Sequence, residues 1–133
     1  MRLSSKTEYA LLALIFLARI EKDQFVHGQE ISQEQEIPMS FLQQILLSLK
    51  QARLVKSIKG KAGGYALNRK PSEISIAEIV RLFDGPIAPS KTVSQFFYEK
   101  TPISIEKKAI HLLKEIRDFV SKKLENTSLA DLV

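Results

Sequence analysis

At 133 residues, with 44% hydrophobic and 26% charged residues, the chain is expected to be one domain, or one domain with an appendage, around a single modest core. It contains no cysteine, which excludes disulfides, thiolate catalysis, thiol redox sensing and cysteine-ligated clusters. The formal net charge of +5 favours an anionic partner, and Glu21, Asp23, Glu30, Glu34 and Glu36 against Lys22 leave the basic excess downstream of residue 36.

Ser5 and Glu8 read as a capping box ahead of an apolar run, which predicts a helix from about Lys6 to Ile20, central to the core. Its apolar stretch Leu11 to Ile20 is too short to span a bilayer and lacks a small-residue cleavage site, so a cytoplasmic location with no membrane partner is expected. Phe25 and Val26 suggest a short strand. A second, polar helix from Gly28 to Gln35 offers only Ile31 inward, and Ile37-Pro38 interrupts the chain because proline disfavours helix in the residue before it. In the third helix Ser40 and Gln43 read as another capping box. Leu42, Ile45, Leu46 and Leu49 form its inward stripe, spaced i, i+3, i+4, i+7. Its outer face carries Gln43, Gln44, Leu47, Lys50 and Gln51. Two helices across a short turn, the second with a polar outer face, form a helix-turn-helix.

Lys50 to Lys70 follows with seven cations (Lys50, Arg53, Lys56, Lys59, Lys61, Arg69, Lys70) and no acid. Leu54 to Ile58 and Tyr65 to Leu67 read as strands, and Gly60, Gly63 and Gly64 permit a tight tip. A helix followed by a basic hairpin is the way a winged helix grips DNA. The Gly60–Gly64 loop lacks the spacing of a nucleotide-phosphate loop. Ser75 and Glu78 cap a fourth helix that stops at Asp84-Gly85-Pro86. Pro86 to Pro102 reads as loop or poorly ordered chain, with Phe96, Phe97 and Tyr98 as an aromatic cluster that packs on a partner subunit or lines an effector pocket. The last helix is expected from Ser104 to Leu124. Ile105, Ala109, Leu112, Ile116 and Phe119 repeat 4-3-4-3, a heptad seam, and Leu113, Val120 and Leu124 make a second stripe. One stripe can pack on its own domain and the other on a second copy. Ser128 to Leu132 adds a final turn.

With these elements placed, the sequence resembles the Rrf2 family of bacterial transcription regulators over almost its whole length. The matching residues are Met1 to Lys6 with Tyr9-Ala10; Ile37, Ser40 to Leu46 and Leu49; Leu54-Val55, Gly60, Gly63 to Tyr65 and Leu67; Glu73 to Ser75, Glu78-Ile79, Asp84 to Pro86; and Ser128 to Leu132. The resemblance implies a mainly α fold with a small β-hairpin wing, a winged helix-turn-helix domain over 1–85, a variable loop over 86–103 and a dimerisation helix and tail over 104–133. It implies a homodimer on a roughly palindromic operator in double-stranded DNA. Many members hold an iron–sulfur cluster on three cysteines in that loop. This chain has none, so no cofactor is expected, and a regulatory protein or small-molecule effector is the alternative source of control.

The expected DNA contacts are Arg2, Lys6, Ser40, Phe41, Gln43, Gln44, Lys50, Lys59 and Lys61. A glutamine amide pairs with adenine N6 and N7, and many relatives carry Glu in place of Gln43, where it accepts from cytosine. Gln43 and Gln44 are otherwise ordinary surface residues, with Gln43 a cap. Ser40 is expected as cap and phosphate ligand together; Phe41 and Leu47 divide between contact and ordinary packing or exposure. Lys59 and Lys61 flank the wing tip within reach of phosphate. His27 and His111 have no second ligand at metal-binding spacing, and no catalytic constellation stands out, so an enzyme is not expected. The competing reading is a winged-helix protein whose main work is binding a protein that controls it. Dimerisation is expected through Ile105, Ala109, Leu112, Ile116 and Phe119.

Overall fold

The computed structural model describes residues 1–95 and 99–133; the Phe96-Phe97-Tyr98 cluster lies outside them. Helix α1 (Ser5–Arg19) runs through the core, burying Thr7, Ala10, Ala13, Leu14 and Leu17. Its cap is Ser4, whose Oγ accepts from the Thr7 amide at 3.2 Å, and not Ser5 as the S-x-x-E pattern suggests. Ser4 is extended, the conformation an N-cap needs, while Ser5 is already helical.

Helix α2 (Gly28–Gln35) and helix α3 (Met39–Gln51) pack on α1. Helix α3 buries Leu42, Ile45, Leu46 and Leu49, the stripe its periodicity predicts. Strands β1 (Val55–Ile58) and β2 (Gly64–Leu67) pair antiparallel, from Val55 opposite Leu67 to Ile58 opposite Gly64. Val26 adds a bridge on the far side of β2, exchanging backbone hydrogen bonds with Tyr65 at 2.9 and 2.7 Å. This approach requires Gly64: at φ +130° a Cβ there would stand 2.3 Å from the Val26 carbonyl oxygen.

Helix α4 (Ile76–Asp84) is capped by Ser75, which accepts from the Glu78 amide, as predicted. Between α4 and the last helix, Ile87, Thr92 and Val93 are buried, so this part of the expected loop is packed. Helix α5 (Lys107–Glu125) begins three residues after the predicted Ser104. Pro102 to Ile105 instead form a separate 3₁₀ turn, closed by a Thr101–Ser104 capping box, and Glu106 breaks the backbone between turn and helix (φ −89°, ψ 90°). The chain then returns to the core. Leu129 is fully buried, and its amide donates to the Ile74 carbonyl at 2.8 Å, while the Ile76 amide donates to that of Thr127 at 2.9 Å.

Candidate nucleic-acid interface

The turn between α2 and α3 is only Glu36 to Pro38. Glu36 takes a left-handed conformation (φ 53°) and closes α2, and the Ser32 hydroxyl donates to the Ile37 carbonyl at 2.6 Å. Pro38 then starts α3, its carbonyl accepting from the Leu42 amide at 3.0 Å. The Ser40–Gln43 capping box is therefore absent. Because the proline sets the helix start at Met39 and no side chain caps it, Ser40 lies inside the first turn. Gln43 is likewise freed from capping. The amides of that first turn lack intrahelical acceptors, and Ser40 stands exposed among them.

Arg2, Lys6, Ser40, Phe41, Gln43, Gln44, Lys50, Lys59 and Lys61 are all exposed. Along α3, Ser40, Gln43, Gln44, Leu47 and Gln51 recur at three- and four-residue spacing and share one face. Phe41 is 44% exposed and leans on Tyr9 of α1, ring centroids 6.0 Å apart. Lys6 lies one turn before Tyr9, so it extends the α3 surface onto α1. Phe41 thus belongs to the surface at this junction, where sequence alone left core and contact open.

At the wing tip the Gly63 amide donates to the Gly60 carbonyl at 3.1 Å. His27 Nε2 lies 2.9 Å from the Lys61 carbonyl oxygen, to which it can donate. His27 stands just before α2, so this bond ties the tip to the helix-turn-helix. Sequence reasoning left His27 without a role, and nothing in its neighbours signals one.

The seven cations of the basic stretch divide by partner. Arg69 is committed to its own domain: it pairs with Glu78 at 2.6 Å and donates to the Glu73 carbonyl at 2.8 Å. The Glu78 hydrogen bond raises its pKa against the opposing effect of burial. Lys56 stands 5.8 Å from the centroid of the Phe25 ring, a cation–π contact. Among the described residues Lys50, Arg53, Lys59, Lys61 and Lys70 have no ion pair, which leaves these cations available to phosphate.

Helix α5 buries no residue fully. Val120 and Leu124 of its second stripe pack against the core. Along the seam Leu112 is 55% and Phe119 75% exposed, Ile116 is 37% exposed, and Ala109 is half-buried. Ile105, 76% exposed, lies in the 3₁₀ turn and not on the helix, which corrects the predicted seam at its first member.

A tri-helical core, an exposed polar face on the second helix of a helix-turn-helix and a basic two-stranded wing define a winged-helix DNA-binding transcription regulator. The chain belongs to the Rrf2 family, whose model, described as "Iron-dependent Transcriptional regulator", matches residues 3–133. The HTH-type transcriptional regulator CymR of Bacillus subtilis (strain 168) is 33% identical over 132 residues, covering 99% of this chain and 89% of the relative. The solved structure of CymR, described as the global cysteine regulator of B. subtilis, superposes with a TM-score of 0.80 at 32% identity, covering 99% of this chain and 95% of that one. IscR of T. potens superposes with a TM-score of 0.75 at 25% identity, covering 99% and 85%. The family consists of regulators, not enzymes. No helix among the described residues is long and apolar enough to cross a membrane.

The family description names iron, and a cluster of the family's kind is held by cysteine thiolates. This chain has no cysteine, and among the described residues no three His, Asp or Glu side chains gather to hold a metal ion. The donor set does not fit a thiolate-held cluster.

Proposed function

We propose that this chain acts as a homodimer on a roughly palindromic operator, without an iron–sulfur cluster, with residues 1–85 reading DNA and 104–133 joining the two copies. One observation carries the reading: α5 turns Leu112, Ile116 and Phe119 to solvent while its neighbouring stripe packs inward. A contiguous exposed apolar stripe on a helix marks a protein interface, and a second copy satisfies it symmetrically. Two copies present two α3 faces, and a two-fold protein reads a two-fold site. At each half-site Gln43 and Gln44 contact bases, Ser40 and the cations contact phosphates, and Lys59 and Lys61 follow the backbone from the wing. Control comes from a protein or small effector in place of the cluster.

The test is selection of sheared genomic DNA by the purified protein at ~150 mM salt, where charges are screened beyond about 8 Å. A palindromic motif with half-sites about one helical turn apart is the expected result. A single asymmetric half-site overturns the dimeric reading, and uniform retention overturns sequence-specific recognition. The affinity of a true DNA binder with 6–10 phosphate contacts should fall by ~10³–10⁵ between 50 and 200 mM salt; a salt-insensitive chain would favour the reading in which its main partner is a protein.

A further inference from the structure

The start of α1 is closed by a residue from the far end of the domain. In an ordinary capping box the N-cap hydroxyl accepts from the third helical residue, whose own side chain reaches back to the N-cap amide. Here Ser4 Oγ accepts from the Thr7 amide as usual. The reciprocal bond comes from Asp84 of α4, whose Oδ2 accepts from the Ser4 amide at 3.1 Å. The same oxygen accepts from the hydroxyl of Thr7 at 2.7 Å. Thr7 is fully buried, and the carboxylate faces the positive end of the α1 dipole. Arg2, two residues before Ser4, lines an open groove with Leu3, Ser5, Glu8 and Asp84.

We propose that Asp84 is the positioning residue for Arg2 in the DNA complex. By fixing the Ser4 amide it sets the direction in which Met1, Arg2 and Leu3 leave α1, so the arm meets the phosphate backbone already oriented and loses less freedom on binding. Asp84 is also the last residue of α4, with only Gly85 between it and the 86–103 segment. A shift of that segment therefore reaches the DNA-binding arm through one carboxylate. This inference rests on the DNA-binding reading and adds a residue that makes no DNA contact itself.

The test measures affinity for the selected operator by fluorescence anisotropy from 50 to 200 mM salt, with dimerisation and thermal unfolding followed in parallel. Arg2→Ala and Asp84→Ala should each weaken binding by about tenfold and reduce the salt slope by about 0.9, the loss of one phosphate contact. The double variant should bind no more weakly than Arg2→Ala alone, because both changes remove the same contact. Asp84→Asn keeps an oxygen that accepts from the Ser4 amide and should therefore bind nearly as tightly as wild type with an unchanged salt slope. Independent, additive losses, unchanged affinity in a folded Asp84→Ala protein, or an Asp84→Asn protein as weak as Asp84→Ala, overturn the proposal. If the wild type shows no salt-dependent DNA binding, the DNA reading fails first and this inference with it.

Discussion

Gln43 is the residue on which operator choice is expected to turn. It is exposed on the α3 face and no longer needed as a cap, so its amide is free to pair with adenine. Replacing it by Glu, an acceptor suited to cytosine N4, should change the preferred base at one position per half-site, with about 1–3 kcal/mol of discrimination. A selected motif identical to wild type would remove Gln43 from the base contacts. Asp84 carries a second prediction. Burial opposes its ionisation, but hydrogen bonds from Ser4 and Thr7 outweigh burial and hold its pKa below the ordinary carboxylate value; the other charged groups in its groove are Arg2 and Glu8. A carboxylate depressed on folding stabilises the fold above its unfolded pKa, about 4 for Asp, and loses that effect as pH falls through the lower folded value. Asp84→Ala should therefore lower the Tm at pH 7, with the gap to wild type closing as pH drops below about 4. A gap independent of pH would show that the ionised carboxylate is not what matters. At this scale the sequence was legible where chemistry is local, as at Ser75. It misled where two patterns overlap: Ser4 and Ser5 both precede an apolar run, and Ser40 follows a proline that had already started the helix. The bonds from Asp84 and His27 join residues far apart in sequence, and no local signal announces them.

Among the elements, the wing gives the sharpest expectation. Lys59 and Lys61 are exposed at its tip, and replacing both with Ala should weaken binding to all sequences alike, lowering the salt slope by about 0.9 per lost contact. Loss confined to the operator, with an unchanged slope, would place the wing away from the backbone. His27→Ala releases the tip at Lys61 and should weaken binding in the same sequence-independent way by a smaller factor. On α5, Leu112→Lys with Phe119→Lys puts charge into the exposed seam without entering the core; sedimentation should show a folded monomer where the wild type is expected to run as a dimer. A dimer that survives both changes would place the interface elsewhere. The strong periodicity of α3 and the glycines of the wing made these elements readable in advance. The start of α5 was not, because the 3₁₀ turn at Pro102 to Ile105 continues the apolar spacing of the helix while its backbone does not continue the helix.

The whole molecule departs from a linear reading mainly at its last turn. Leu129 belongs to the same core cluster as Leu14 and Leu49, so Leu129→Ala should cost about 2–5 kcal/mol, measured by denaturant unfolding; a loss near zero would mean that the tail only rests on the domain. A final turn was anticipated, but its partner could not be, since an apolar residue in a short turn carries no periodicity to show what it packs against. The return of this turn has a further consequence. The fold is assembled from two separated stretches of chain, with residues 85–126 leaving at the end of α4 and rejoining beside its start, where Ser128 bridges Ser75. In its connectivity the chain is a host with a guest grafted into it, fastened at both roots. Such a graft can change length and composition between its roots while the host keeps its shape.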